Sequence, residues 1–143
     1  MLIGEYKHTI DSKKRLALPS KLRKELGPKV VVTRGLDNCL FVFPLTQWNK
    51  LVEKLGELPI GQKDNRGFTR LMLAGASETR LDGLGRILIP DYLKQYADLK
   101  KNVIIAGLFN RLEIWSESKW KLFKQSTEKE VDNIAERLGE LGV

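Results

Sequence analysis

A ten-residue pattern occurs twice in this chain. Ile10-Asp11-Ser12-Lys13-Lys14-Arg15-Leu16-Ala17-Leu18-Pro19 returns 71 positions on as Leu81-Asp82-Gly83-Leu84-Gly85-Arg86-Ile87-Leu88-Ile89-Pro90. Asp, Arg and Pro keep their places, and the positions between Arg and Pro stay apolar. Farther along, Gly35-Leu36-Asp37-Asn38-Cys39-Leu40 matches Gly107-Leu108-Phe109-Asn110-Arg111-Leu112, and Trp48 matches Trp120, at an offset of 72 that implies one inserted residue. Such a repeat constrains the fold strongly. Each half has too few strands to bury both of its faces, so the two must close around a shared core. A length of 143 residues suits one compact domain or two small intertwined halves. The expectation is one intertwined, barrel-like unit with pseudo-two-fold symmetry, flanked by helices.

The local pattern supports this division. Residues 5–10 alternate as a strand, with Tyr6, His8 and Ile10 on one face. Asp11 to Arg15 read as a turn, because the Asp carboxylate can accept backbone N–H groups two residues on. Leu16 to Leu18 form a short strand ending at Pro19, and Ser20 is expected to cap a helix from Lys21 to Leu26. Val30 to Thr33 and Leu40 to Phe43 read as strands joined by a hairpin at Gly35–Asn38. Thr46 is expected to cap a helix in which Trp48, Leu51, Val52 and Leu55 share a face, ending at Gly56. A short helix is expected from Phe68 to Ala74. The second repeat then runs turn 82–86, helix 91–97, strand 103–106, hairpin Gly107–Arg111, strand to Trp115 and helix Ser116 to Lys124. A separate last helix, Thr127 to Leu141, aligns Val131, Ile134 and Leu138. Both apolar stripes suit packing within the chain or against a neighbouring subunit.

The net charge of +7 is unevenly placed. Residues 1–71 hold 14 Lys and Arg against 7 Asp and Glu, whereas residues 72–143 hold 11 of each. A basic excess suits a polyanionic partner, and it also serves plain solubility. No apolar run reaches membrane-spanning length, and the N-terminal residues read into a strand rather than a signal peptide. One cysteine, Cys39, cannot form a disulfide within the chain, which fits the cytoplasm. One His and one Cys offer no metal cluster, His8 suits a structural role, and Gly83-Leu84-Gly85 lacks the context of a dinucleotide loop. The chain is therefore expected not to be an enzyme and to need no cofactor, metal or small-molecule substrate.

The repeated Asp-x-x-x-Arg turn carries two compatible readings. Asp11 and Asp82 can close tight turns held by Arg15 and Arg86 through charge-assisted hydrogen bonds. The turns can also present Arg15 and Arg86, with Lys13 and Lys14 beside the first, to phosphates and groove edges, since the planar Arg fork grips phosphate or guanine bidentately. The paired motifs, the apolar triplet and Pro after each, the spacing of the duplication and the length together resemble the MraZ family, one of the AbrB-like swapped-hairpin transcription factors. The likeness runs from Leu2 to about Phe123.

The resemblance implies an α+β fold of two tandem AbrB-like repeats forming a pseudo-two-fold swapped-hairpin β-barrel flanked by helices. It places the first repeat at 1–56, a linker with a short helix at 57–76, the second repeat at 77–124 and a C-terminal amphipathic helix at 125–143. It also implies a sequence-specific DNA-binding regulator of the division and cell-wall gene cluster, located in the cytoplasm and nucleoid. Such a protein would bind tandem promoter repeats as a homo-oligomeric ring, through Asp11, Lys13, Lys14, Arg15, Asp82 and Arg86. The alternatives are an antitoxin-like protein-interaction module and a structural ring without specific DNA binding. The first loop departs from the family by having no glycine before Arg15, and the second has no cation beside Arg86. By charge, the first repeat is expected to make more phosphate contact.

Overall fold

Neither repeat keeps its own first strand. In the computed structural model, which describes residues 1–143, β1 (Leu2–Thr9) pairs along its length with β7 (Asn102–Phe109) of the second repeat. Reciprocally, β5 (Ser77–Arg80) pairs with β3 (Lys29–Arg34) of the first. With β4 (Leu40–Pro44) and β8 (Leu112–Ser116), these strands form one antiparallel sheet in the order β1-β7-β8-β4-β3-β5. The short strands β2 (Arg15–Ala17) and β6 (Arg86–Leu88) form a separate two-stranded ribbon.

The register exposes the symmetry. Leu16 faces Ile87 in the ribbon, and Phe41 faces Glu113 where β4 meets β8. Each of these residues lies opposite its own repeat mate, so a pseudo-two-fold axis passes through both pairs. The fold class is α+β with exchanged hairpins, as expected, but the barrel does not close. Strands β1 and β5 remain sheet edges, and the one β-bridge between the large sheet's chain and the ribbon is the isolated pair Ile10 and Leu16. Three-residue strands cannot span the remaining gap with a continuous hydrogen-bond ladder.

Side-chain alternation makes two cores. Val30 and Val32 point to one face of the sheet, where Leu40, Val42, Val103, Ile105, Leu112 and Ile114 meet Leu16 and Ile87 of the ribbon. Leu22, Leu26 and Leu93 close that core from α1 (Arg23–Leu26), the 3-10 turn before it (Ser20–Leu22) and α4 (Asp91–Tyr96). The opposite face carries Phe41, Phe43, Ile104 and Trp115 under α2 (Leu45–Gly56), α3 (Lys63–Ala74) and the start of α5 (Glu117–Gly139). Aromatic contacts repeat across the axis: Phe43 meets Trp48 at 5.7 Å between ring centroids, and Trp115 meets Trp120 at 5.4 Å. The Thr33 hydroxyl donates to the Met72 carbonyl at 2.6 Å and ties α3 to β3.

Several local expectations change. Ser20 starts a 3-10 turn after Pro19 and makes no capping bond, and Leu45, not a residue after Thr46, starts α2. In both places proline itself occupies the N-cap position, so neither Ser20 nor Thr46 stands where a hydroxyl would cap the helix. Helix α3 begins at Lys63, a turn or more before Phe68. The two expected C-terminal helices are one, capped by Ser116 Oγ, which accepts from Lys119 N at 3.2 Å. No Gly or Pro interrupts residues 117–138, and the propensity deficit of Ser126 and Thr127 is only a few tenths of a kcal/mol. The stripe of Trp48, Leu51 and Leu55 packs within the chain, whereas Val131 and Leu138 lie exposed.

The repeat alignment also shifts. His8 faces Val103 while Thr79, its mate, faces Val30, so β3 and β7 correspond at an offset of 73 rather than 72. The second repeat gains two residues before β7 and loses one in the hairpin. Gly35 N donates to Cys39 O to close the first hairpin, and Leu108 N donates to Arg111 O to close the second. Gly107 is thus a strand residue, where a Cβ would lie 2.7 Å from the Ile3 backbone nitrogen. The strand β7 consequently runs on to Phe109, beyond the expected end at residue 106.

Leu16 and Ile87 are both buried at the axis. Truncating either to Ala should cost about 2–5 kcal/mol, since the two sheets leave little room to collapse into the cavity. Urea unfolding of the two single variants should give similar losses, and their double variant should lose less than the sum.

Candidate nucleic-acid interface

The Asp11 turn lies between β1 and β2, and the Asp82 turn between β5 and β6. Each aspartate uses one oxygen on two backbone N–H groups. Asp11 Oδ1 accepts from Lys13 N and Arg15 N, both at 2.9 Å, and Asp82 Oδ1 accepts from Leu84 N and Arg86 N, both at 2.9 Å. The second oxygen holds the arginine: Arg15 Nε donates to Asp11 Oδ2 and Arg86 Nε to Asp82 Oδ2, each at 2.8 Å. Backbone bonds close both ends, from Asp11 N to Arg15 O and from Asp82 N to Arg86 O, each at 3.0 Å. One carboxylate therefore fixes both loop shape and guanidinium orientation.

Only the Nε of each arginine donates a hydrogen bond inside the chain. The outer nitrogens stay open to a planar acceptor, on side chains that are 33% and 26% exposed. Ribbon pairing sets Arg15 and Arg86 on the side opposite buried Leu16 and Ile87. The two turns are close, with Arg86 Nη1 4.0 Å from Asp11 Oδ2 across the axis. His8 Nδ1 sits 2.6 Å from the Ala17 carbonyl and anchors β2 to β1, a structural role.

The same bonds stabilise the ionised carboxylates. The Arg15 backbone N–H is the largest influence lowering the Asp11 pKa, opposed by partial burial and aided by the Arg15 side chain and the Lys13 N–H. Asp82 is lowered in the same way by Arg86 and Leu84.

The six residues named from the sequence fall on these two turns, with different surroundings. Lys13 is exposed, whereas Lys14 Nζ donates to Asp91 Oδ2 of the second repeat at 2.7 Å. Lys14 also occupies the left-handed backbone region at φ +64°, where its mate Gly85 has φ +73°. The missing glycine thus changes the residue and keeps the turn geometry, at a cost a non-glycine normally bears there. The second turn does have a cation, which sequence order conceals. Arg23 of the first repeat packs over Gly85 so closely that a Cβ there would lie 2.2 Å from its guanidinium carbon. Arg23 Nε donates to the Leu18 carbonyl at 2.9 Å. The mutual pairing of β2 and β6 was the available signal, because it brings Pro19 and the helical turn after it beside the opposite repeat's loop.

Cys39 is buried, and burial, followed by the Glu113 carboxylate, pushes its thiol pKa well above the usual range. A thiolate nucleophile is therefore disfavoured. Glu113 accepts from Arg111 Nη2 at 2.9 Å and Trp115 Nε1 at 3.0 Å, while Arg111 stacks 4.7 Å from the Phe41 ring centre. That buried group joins axis partners of unlike chemistry, away from the turns. No helix is long and apolar enough to cross a membrane.

The exchanged hairpins and paired turns define a tandem-repeat protein of the swapped-hairpin class. The family model described as "MraZ protein, putative antitoxin-like" matches residues 1–71 and again residues 72–140. The chain belongs to the MraZ family. A relative named Transcriptional regulator MraZ from Caldanaerobacter subterraneus subsp. tengcongensis is 50% identical over 143 residues, all of both chains. One of the same name from Caldicellulosiruptor saccharolyticus is 51% identical over 143 residues, again all of both. A third, from Natranaerobius thermophilus, is 49% identical over 138 residues, 96% of each chain.

Lowered Asp11 and Asp82 pKa values fix the sign of a pH effect. The folded turns bind fewer protons than the unfolded chain near pH 4, so their contribution is complete above the unfolded value of about 3.9 and is lost as pH falls through the folded values. The urea midpoint of the wild type should therefore drop between about pH 5 and pH 2. In the Asp11→Asn, Asp82→Asn double variant that drop should be shallower.

Proposed function

We propose that this protein is a sequence-specific, DNA-binding transcriptional regulator that reads duplex DNA with its two Asp-x-x-x-Arg turns. The observation that carries this reading is the pair of like-built turns on one face, each aiming an arginine whose outer nitrogens have no hydrogen-bond partner in the chain. Arg15 and Arg86 are the base- or phosphate-gripping groups, Asp11 and Asp82 orient them, and Lys13 and Lys14 add sequence-blind attraction. The names carried by the relatives support regulation of transcription, and the resemblance to the family points to the division and cell-wall gene cluster and to the cytoplasm and nucleoid.

One chain presents two turns, so its grip on DNA is limited. A homo-oligomeric ring engaging tandem promoter repeats would convert later contacts into intramolecular ones and raise avidity by about 10²–10⁴. The uncovered apolar positions Val131, Leu138 and Leu141 at the C-terminal end support association between copies. The antitoxin-like wording of the family model keeps protein docking as the second reading.

Fluorescence anisotropy separates these readings. Wild type should prefer the duplex upstream of its own gene over a shuffled duplex, and the Arg15→Ala, Arg86→Ala double variant should lose at least tenfold in affinity while melting within a few degrees of wild type. Equal binding of both duplexes, or no binding, would reject DNA reading by the turns. A large loss of melting temperature instead would make the arginines structural.

A further inference from the structure

Strand exchange rearranges the charge map as well as the backbone. Along the sequence, the second repeat has no net charge and reads as a poor source of phosphate contacts. In space, an open groove of about 860 Å³ runs beside the first turn, lined by Asp11 and Ser12 together with Lys94, Lys100 and Lys101. All three lysines belong to the second repeat. Ile10 N donates to Lys101 O at 2.8 Å, which fixes the groove wall directly against the start of the turn. The wall exists because the connection before β7 is two residues longer than its counterpart, and it places Lys100 and Lys101 where the first repeat has Gly27 and Pro28. Lys100 is paired with Asp98 at 3.2 Å, whereas Lys94 and Lys101 take part in no ion pair. The reverse relation holds at the second turn, where Arg23 of the first repeat lies on Gly85 and also makes no ion pair.

From this geometry we infer that each reading turn is flanked by a backbone-phosphate site supplied by the opposite repeat: Lys94 and Lys101 beside the Asp11 turn, and Arg23 beside the Asp82 turn. The ligand is the phosphodiester of the duplex on either side of the bases faced by Arg15 and Arg86. This assignment rests on the DNA-binding reading of the turns, and it adds Lys94 and Lys101 of the second repeat to the larger phosphate contact that charge alone leads one to expect of the first. Flanking cations give affinity and register without reading sequence, whereas the turn arginines give the preference. Lys94 and Lys101 are unpaired, so removing their charge leaves no buried partner and little change in folding.

The test is the salt dependence of anisotropy on the native and shuffled duplexes, for wild type, Lys94→Gln/Lys101→Gln, Arg23→Gln, and a Lys50→Gln/Lys54→Gln control. Lys50 and Lys54 are exposed on α2, on the other face of the sheet, and match the charge lost by the first variant. Each phosphate contact contributes about 0.9 to the slope of log affinity against log salt. The groove variant should flatten the slope by about 1.8 and Arg23→Gln by about 0.9, with the preference for native duplex retained and the control unchanged. A groove variant with the wild-type slope overturns the assignment, as does a control that flattens the slope equally. Loss of duplex preference in the groove variant also overturns it, since that would make the lysines base readers. If wild type shows no salt-dependent binding to either duplex, the regulator reading itself fails and this site with it.

Discussion

The exchange of first strands between repeats is the constraint on which the rest of the molecule depends. A β2–β6 ribbon of two three-residue strands would not persist in water by itself. It persists because Leu16 and Ile87 bury into a core whose other wall is the six-stranded sheet, and because β1 and β5 each cross to the other repeat before their turns begin. The turns then emerge at fixed places on either side of the axis. Their separation and relative orientation come from the sheet register, and the loops themselves need no length or flexibility to find it.

Within that frame, one carboxylate has several roles in each turn. The Asp11 and Asp82 oxygens satisfy backbone donors that a tight loop would otherwise leave to water, and they hold Arg Nε with the outer nitrogens facing outward. The binding group is thus ordered before any ligand arrives, which lowers the entropy lost on association. The opposite face of the sheet carries the aromatic pairs and α2, α3 and α5, so packing and proposed recognition are segregated to different sides.

The symmetry is a property of the backbone more than of its chemistry. Lys14 and Gly85 share a left-handed conformation, yet one reaches Asp91 and the other makes room for Arg23. Phe41 and Glu113 meet at the axis, with Arg111 satisfying both. Much of this was legible in the residues alone. Asp11, Arg15 and Pro19 match Asp82, Arg86 and Pro90 because turn closure and core burial impose the same demands twice, and the unbroken β-branched run of Val30 to Thr33 fits a strand buried on both faces. What escaped the sequence was contact across the exchange. Arg23 over Gly85, and Lys94 and Lys101 beside Asp11, are far apart in the chain from the turns they flank. The false match of Gly35 with Gly107 has a similar origin. Each glycine answers a steric demand, Gly35 against the Phe41 ring and Gly107 against the β1 backbone, and identical residues hid different causes.

Amide chemical-shift mapping of the isotope-labelled protein, titrated with the duplex upstream of its own gene, tests the central claim most directly. The largest changes are expected on Lys13 to Ala17 and Leu84 to Leu88, with smaller ones at Arg23 and Lys101, while α2 and α3 remain still. Changes centred on α2, α3 or α5, with both turns silent, would contradict DNA reading by the turns and move the binding surface to the other face of the sheet.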